Sequence, residues 1–376
     1  MAEQKLTAED VARLLRDPSG DVRADTARKL AMQYDTPSLS TSERQLAEDI
    51  FRLMLRDAEV RVRESLALNL KDNPRVPHDV ARTLASDVDR VALPVIEFSQ
   101  VLTADDLKEI IHAHDPGRQK AVARRDNLSE DIASELVSEG DAEVAATLAA
   151  NESAHISEGT MLELVERFGD DPSVQTPLVH RAYLPITVSE RLVHRVSEVL
   201  QDHILQNHEL PADIAADLVV QSRERAVITL SSESAEDEVE RLVQQMQDHG
   251  RLTPSIIVRS LCMGDLKFFE YAMSIKSGVP VINARILIHD SGSLGLNGIF
   301  EKASLPPSLL PAIRAAIDVI RETDYDCGAN DLERYQRRLL ERVLTQYGDL
   351  GVDLDRHDLE YLLSRMNTLS ATLTIA

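Results

Sequence analysis

The feature that most constrains the fold is a short opening that recurs along the chain at nearly constant spacing. Each opening is an apolar residue followed by Ser, Thr or Pro, then by polar residues and another apolar residue. The openings begin at residues 76, 102, 128, 156, 184, 210, 252, 279 and 305. Most steps between them are 26 to 28 residues long, and the step from 210 to 252 is 42. A period in this range is typical of a helical solenoid, in which each unit is buried by its neighbours.

The unit at residues 128–151 predicts a pair of short helices. Apolar residues of LSEDIASELV recur at helical spacing, and Ser129 suits an N-cap. Gly140 is expected to end the first helix in a left-handed conformation, and Asp141 to cap the second. The same Gly-Asp pair recurs at 169–170 and 264–265. Because the pair repeats with the units, it indicates a turn between helices rather than a site.

The N-terminal region follows the same pattern with longer units. VRADTARKL begins at Val22 and VRESLALNL at Val62, 40 residues later. An aspartate turn followed by Val-Arg resembles the second helix of a HEAT repeat. The predicted fold class is therefore all-α, an α-solenoid of short HEAT-like helical hairpin repeats with a modified C-terminal helical region. The predicted segments are HEAT-like repeats (1–75), short acidic helical repeats (76–230), an acidic helical insertion or hinge (231–251), modified repeats (252–325) and an amphipathic helical tail (326–376).

Composition agrees with thin helical layers and indicates a cellular location. Aromatic residues make up 3% of the 376 residues, with no Trp, whereas thick globular cores use aromatics to fill space. No stretch is apolar enough for a transmembrane helix, and the N-terminus lacks the features of a secretory signal. The two cysteines, Cys262 and Cys327, match no metal or redox spacing. We therefore expect a cytoplasmic protein with no membrane partner.

The net charge of −23 is concentrated in the middle of the chain. Residues 76–250 contain 14 Lys and Arg against 34 Asp and Glu, while the segments before and after are nearly balanced at 13 against 14 and 14 against 16. Nucleic acid is not an expected partner, because its phosphates require a basic surface. A basic protein partner is favoured instead, and solubility of a long exposed surface is the alternative explanation.

Two segments carry a resemblance to a known family. LCMGDLKFFEYAM, from 261, and VPVINARILIHDSGSLGLNGIFEKASLP, from 279, follow the HEAT-like units. The combination resembles an uncharacterised, mainly alphaproteobacterial family, filed as a domain of unknown function and built on HEAT-like helical repeats. The resemblance implies a bacterial cytoplasmic protein with an α-helical repeat fold, and it implies no catalytic residues.

The same region contains the candidate ligand site. Arg259 and Arg285 occupy similar positions in successive repeats, so their guanidinium groups are predicted to share a surface and bind a phosphate or carboxylate. His289 and Asp290 complete this candidate site. The alternative is that Asp290 and the Gly264-Asp265 pair are ordinary helix caps.

Other chemistry is not expected. His112 and His114 are two residues apart and would point to different faces of a helix, which suits a metal poorly. No phosphate-binding loop or nucleophile elbow is present. The sequence therefore predicts no enzyme activity, no catalytic residue, no cofactor and no metal.

The predicted function is that of a non-enzymatic scaffold or adaptor that binds another protein through an acidic solenoid surface. The predicted partner-binding residues are the acids of the unit at 128–151, namely Glu130, Asp131, Glu135, Glu139, Asp141 and Glu143. A homodimer through the C-terminal helices is a further possibility. The alternative function is that of a regulator whose 252–300 region binds an anionic metabolite or nucleotide.

Overall fold

The computed structural model describes residues 19–34, 39–207, 212–290 and 292–322, together with the single positions 12, 13, 16, 338 and 342. Side chains are described for all of these except 200–207, 212–218, 293 and 308. Within this part of the chain the secondary structure is helical throughout, and no strand is found. The prediction of an all-α protein is confirmed.

The chain divides into two compact units, residues 1–184 and 185–376. The first contains α1 (Gly20–Tyr34), α2 (Thr41–Met54), α3 (Val60–Leu70), α4 (His78–Ala85), α5 (Asp89–Phe98), α6 (Ala104–His112), α7 (Pro116–Ala123), α8 (Glu130–Glu139), α9 (Ala142–Ala150), α10 (Glu158–Phe168) and α11 (Pro172–Val179). The second contains α12 (Ile186–Asn207), α13 (Ala212–Glu233), α14 (Glu236–Asp248), α15 (Pro254–Cys262), α16 (Leu266–Ser277), α17 (Val281–His289), α18 (Ser293–Lys302) and α19 (Leu310–Glu322). The five predicted segment boundaries stay predictions, and the predicted tail helices lie outside the described residues apart from positions 338 and 342.

Helices of the first unit contact the helix two positions along the chain. α1, α3, α5, α7, α9 and α11 each pack on the next member of this series, and α6, α8 and α10 form a second series of the same kind. Consecutive helices such as α4 and α5, or α8 and α9, also pack together. The core between them consists mainly of Val, Leu, Ile and Ala, which explains how the unit folds with so few aromatics.

The predicted Asp141 cap is confirmed, but Ser129 makes no side-chain hydrogen bond as the N-cap of α8. The Thr103 hydroxyl accepts a hydrogen bond from the Asp106 N–H, and the Asp106 carboxylate accepts one from the Thr103 N–H, which is a capping box. Asp115 caps α7 ahead of Pro116, and Asp141 accepts from the Val144 N–H at 3.0 Å. Such caps are local in sequence, so the pattern alone predicts them.

The predicted conformation of the turn glycines is wrong at two of three positions. Gly264 is left-handed, with φ +85°, but Gly140 is extended and Gly169 is right-handed. At Gly140 an added Cβ would lie 2.5 Å from the Leu136 carbonyl oxygen and 2.8 Å from Val144 Cγ1. Glycine is needed there because the last turn of α8 and Val144 of α9 leave no room for a Cβ, not because of a positive φ.

Three side chains link the ends of α7, α9 and α11 to the end of the preceding odd-numbered helix. Arg125 donates to the carbonyls of Ile96 and Ser99. Asn151 donates to the carbonyls of Ala123 and Arg125 at 2.8 Å. Arg181 donates in the same way to the carbonyls of Ala149, Asn151 and Ala154. These bonds satisfy carbonyl groups that a helix end leaves without intrahelical partners.

The repeated Val-Arg pair has a common structural role. Val22 and Val62 are buried, and the arginine after each one binds an aspartate from a later turn. Arg23 Nε lies 2.7 Å from Asp57 Oδ2, and Arg63 Nε lies 2.6 Å from Asp87 Oδ2. The Arg63 guanidinium holds the pKa of Asp87 below its usual range, because its hydrogen bonds outweigh the effect of burial.

Replacing Arg63 with Ala is expected to lower the free energy of unfolding by about 1–3 kcal/mol, because it leaves a poorly hydrated carboxylate without its bidentate partner. Arg90→Ala is the matched control, since Arg90 pairs with Glu64 but is 73% exposed against 15% for Arg63. The control should change stability by no more than about 0.5 kcal/mol. Urea unfolding followed by circular dichroism measures both, and equal losses would contradict the assignment.

The second unit has its own core, formed by α12 to α19. Phe268 and Phe269 of α16 are fully buried and pack with Ile257, Ile288 and Ile313 of the surrounding helices. The long step in the repeat, from 210 to 252, contains all of α13 and α14. α14 begins with Glu236, Asp237 and Glu238, so this acidic stretch is helical.

Candidate functional site

Negative charge in the first unit is concentrated on one series of helices. The adjacent helices α6, α8 and α10, which we call the acidic row, contain ten carboxylates and only two Lys or Arg residues. Their neighbours α7, α9 and α11 together contain one carboxylate and two basic residues. Of the ten carboxylates only Asp106 is buried. The uneven charge of the sequence therefore becomes an uneven charge between two layers of helices.

The predicted partner-binding acids lie mostly beside basic residues of the preceding repeat. Asp131 lies 3.7 Å from Lys108, and Glu143 lies 2.7 Å from Lys120. The carboxylates of Glu135 and Glu139 face the rings of His112 and His114. Asp141 is engaged as the cap of α9, and Glu130 is exposed at the start of α8.

Asp106, in the preceding repeat, is also paired with residues of an earlier helix. Burial raises the pKa of its carboxyl, but hydrogen bonds from Thr103 and His78 outweigh that effect and hold the pKa at about 2. His78 Nε2 lies 2.7 Å from Asp106 Oδ2, and Arg82 lies 3.5 Å from Asp106 Oδ1. α4 thus supplies a hydrogen-bonding histidine and an arginine to this acid of α6.

α8 does not pair with the acids of the next helix in the row in this way. Arg82 of α4 pairs with an acid of α6, and Lys108 and His112 of α6 lie beside acids of α8. α8 itself, EDIASELVSE, contains no basic residue that could do the same for α10. Glu163 of α10 therefore has no basic residue of α8 to pair with, and Glu130 is exposed at the start of α8.

The predicted ligand site contains a buried glutamate that binds two of the predicted ligand residues. Glu270 of α16 is 7% exposed, and its two oxygens face Arg285 and His289 of α17. Arg285 Nε lies 2.7 Å from Glu270 Oε2, and His289 Nε2 lies 2.8 Å from Glu270 Oε1. Arg285 also binds Glu236 at 3.2 Å. Burial lowers the pKa of Arg285, but its hydrogen bonds to these two glutamates raise it above its usual value.

Arg259 binds a different carboxylate. Its Nε lies 2.7 Å from Glu224 Oε2, and both side chains are buried. Glu224 also accepts hydrogen bonds from Ser255 at 2.9 Å and Thr253 at 3.3 Å. The structure thus brings Arg285 and His289 together on Glu270 and places Arg259 on Glu224. Each of the two guanidinium groups already faces a carboxylate.

Asp290, the fourth predicted ligand residue, lines a pocket of about 170 Å³. Asp290 is the C-cap of α17, and the N-cap of α18 is Gly292. Arg314, Asp318 and Arg321 of α19 line the same pocket. This volume is below the roughly 300–1,000 Å³ of typical ligand sites, so it fits a small anion better than a nucleotide.

Sequence patterns missed the buried charges of α12 and α13. Glu190 lies 3.0 Å from Arg251, and their side chains are 2% and 9% exposed. Burial raises the pKa of Glu190 despite that arginine. His194, one turn along α12, has its pKa lowered to about 4 by burial, with Arg223 contributing. The partners are some 30 to 60 residues apart in sequence, so no local pattern could have found them.

A family model described as an uncharacterised protein conserved in bacteria matches residues 91–353. No curated protein and no solved structure is significantly similar to the chain. None of the helices that the structure describes is both long and apolar enough to cross a membrane.

Proposed function

The chain belongs to DUF2336, a family of uncharacterised proteins conserved in bacteria, and we propose that it is a non-enzymatic scaffold or adaptor that binds another protein. The binding surface in this proposal is the acidic row, α6, α8 and α10. The proposed setting is the cytoplasm, and the expected restriction to mainly alphaproteobacterial members stays a prediction.

The proposed architecture is an α-solenoid of HEAT-like hairpins. Three features support it: the period of the openings, the contacts between helices two positions apart, and the bonds from Arg125, Asn151 and Arg181 to earlier helix ends. Stacked helical hairpins expose long continuous surfaces, which such proteins use to bind other proteins.

The observation that carries the function is the charge difference between the two layers of the first unit. A surface made only for solubility has both signs of charge interspersed, whereas α6, α8 and α10 have ten acids and two Lys or Arg residues. A concentrated field of one sign accelerates association with a partner of opposite charge and selects against partners of like charge. The proposed partner therefore carries a basic surface.

Affinity capture from a bacterium that naturally contains the protein tests this proposal. The bait carries Glu130→Gln, Asp131→Asn and Glu163→Gln, and is compared with wild type. The matched control, Asp72→Asn, Asp126→Asn and Glu152→Gln, removes the same charge from exposed positions outside the acidic row. We expect a basic protein that wild type and control retain and the acidic-row variant loses. Equal retention by all three baits would contradict the proposal.

One observation favours the alternative, a regulator that binds a small anion through the 252–300 region. Arg314 and Arg321 line the pocket beside Asp290. If this function holds, phosphate or a small dicarboxylate should raise the melting temperature of wild type but not of Arg314→Gln. An equal response of the two proteins would exclude a site in this pocket.

A further inference from the structure

We propose that His112, Glu135 and Glu139 form a binding site for a divalent transition metal of the zinc type. The site shares Glu135 and Glu139 with the acidic row, but the proposal does not require that the row binds a protein. In the part of the chain that the structure describes, these three residues bring one histidine nitrogen and two carboxylate oxygens within 4.8 Å of one another.

The chain positions the three ligands from two packed helices. His112 is the last residue of α6, and Glu135 and Glu139 are one turn apart on α8, so both carboxylates face the same side. His112 Nε2 lies 2.5 Å from Glu135 Oε1. The two helices pack side by side, which holds the donors on a common surface.

The expectation that His112 and His114 point to different helix faces is wrong, because α6 ends at His112. His114 has a left-handed backbone, with φ +53°, and its ring lies 3.8 Å from Glu139. Both rings therefore face α8. Asp115-Pro116, which starts the next helix, is the sequence signal that placed His114 in a turn.

The chemistry of the donors favours zinc over calcium or magnesium. An imidazole nitrogen with two carboxylates suits Zn²⁺, whereas the harder cations prefer oxygen donors alone. Zinc bonds of about 2.0–2.2 Å place tetrahedral donors about 3.3 Å apart. His112 is 53% exposed and Glu135 29%, so their side chains have room to separate and admit the ion in place of the proton between them.

The backbone at His112 also favours a cation. His112 is the last residue of α6, where the carbonyl end of the helix carries partial negative charge, whereas the last carbonyls of α8 already accept hydrogen bonds from Arg167. A metal at this site would neutralise two carboxylates of the acidic row and clamp α6 to α8.

Titration of the chelator-treated full chain with Zn²⁺ by calorimetry, and with Co²⁺ by visible absorption, tests the proposal. Wild type should bind one ion that is lost or at least about 10-fold weaker in both His112→Ala and Glu135→Gln. His155→Ala removes another exposed histidine and should bind like wild type. Mg²⁺ at the same concentration should not compete.

Absence of a bound ion in wild type, or equal Zn²⁺ affinity in His112→Ala and wild type, would overturn the site. Circular dichroism shows whether each variant keeps its helices. The acidic-row variant Glu130→Gln, Asp131→Asn and Glu163→Gln changes no proposed ligand, so it should bind Zn²⁺ like wild type even where it loses the protein partner. Failure of the metal site and failure of the scaffold proposal are thereby distinguished.

Discussion

Replacing Arg259 with Ala is expected to lower the free energy of unfolding of the second unit by about 3–5 kcal/mol, because it leaves the Glu224 carboxylate buried without its cation. Arg259 is 7% exposed and Glu224 4%. Hydrogen bonds from Ser255 and Thr253 remain, but two hydroxyl groups do not replace a guanidinium 2.7 Å away. Chemical denaturation of the full chain measures the loss.

Two further variants separate this effect from a general cost of removing an arginine. Arg241→Ala removes an exposed arginine of α14 that pairs with Asp237 at 3.7 Å, and should change stability by no more than about 0.5 kcal/mol. The double variant Glu224→Met and Arg259→Met replaces the ion pair with apolar volume and should recover most of the loss. A loss below about 1 kcal/mol in Arg259→Ala would show that Arg259 is not a structural cation.

The second large effect is a fall in the free energy of unfolding as the pH is lowered, and its cause is the protonation of His194. Its side chain is 14% exposed, and burial lowers its pKa from 6.5 to about 4. Between these values the unfolded chain binds a proton that the folded chain does not, so stability falls as the pH falls from about 6.5 to 4. Below pH 4 both states are protonated and this contribution is constant. A shift of this size corresponds to about 3 kcal/mol.

His194→Gln should remove this part of the pH dependence, because glutamine does not titrate. Glu190 has a raised pKa and contributes with the opposite sign, but it is common to both proteins, so the difference between wild type and variant isolates His194. His155→Gln, at an exposed position, should follow the wild-type curve. Parallel stability curves for wild type and His194→Gln between pH 6.5 and 4 would contradict the assignment.

Local features of this fold were predictable from sequence. Thr103, Asp115 and Asp265 cap helices because each cap depends on residues two or three positions away. The period of the openings is read from many units at once, so it can be recognised even where one unit departs from the pattern. Gly140 shows the limit, since its role follows from the approach of Val144 rather than from its own backbone preference.

Contacts distant in sequence were not predictable. Nothing near Arg259 indicates that Glu224, 35 residues earlier, will neutralise it, so a pair of arginines at equivalent repeat positions looked like an anion site. The acidic unit at 128–151 looked uncompensated for the same reason, because Lys108, His112 and Lys120 belong to the preceding repeat. Charge counted along a chain therefore overstated the charge exposed by that unit.

Hydrogen–deuterium exchange of the full chain, with and without the captured partner, tests the proposed binding surface most directly. Exchange slows where binding stabilises a helix and its exposed backbone hydrogen bonds. We predict slower exchange in α6, α8 and α10, strongest in α8 and α10, with α7, α9 and α11 nearly unchanged. Slower exchange confined to α7, α9 and α11, or to the second unit, would contradict the acidic row as the binding surface.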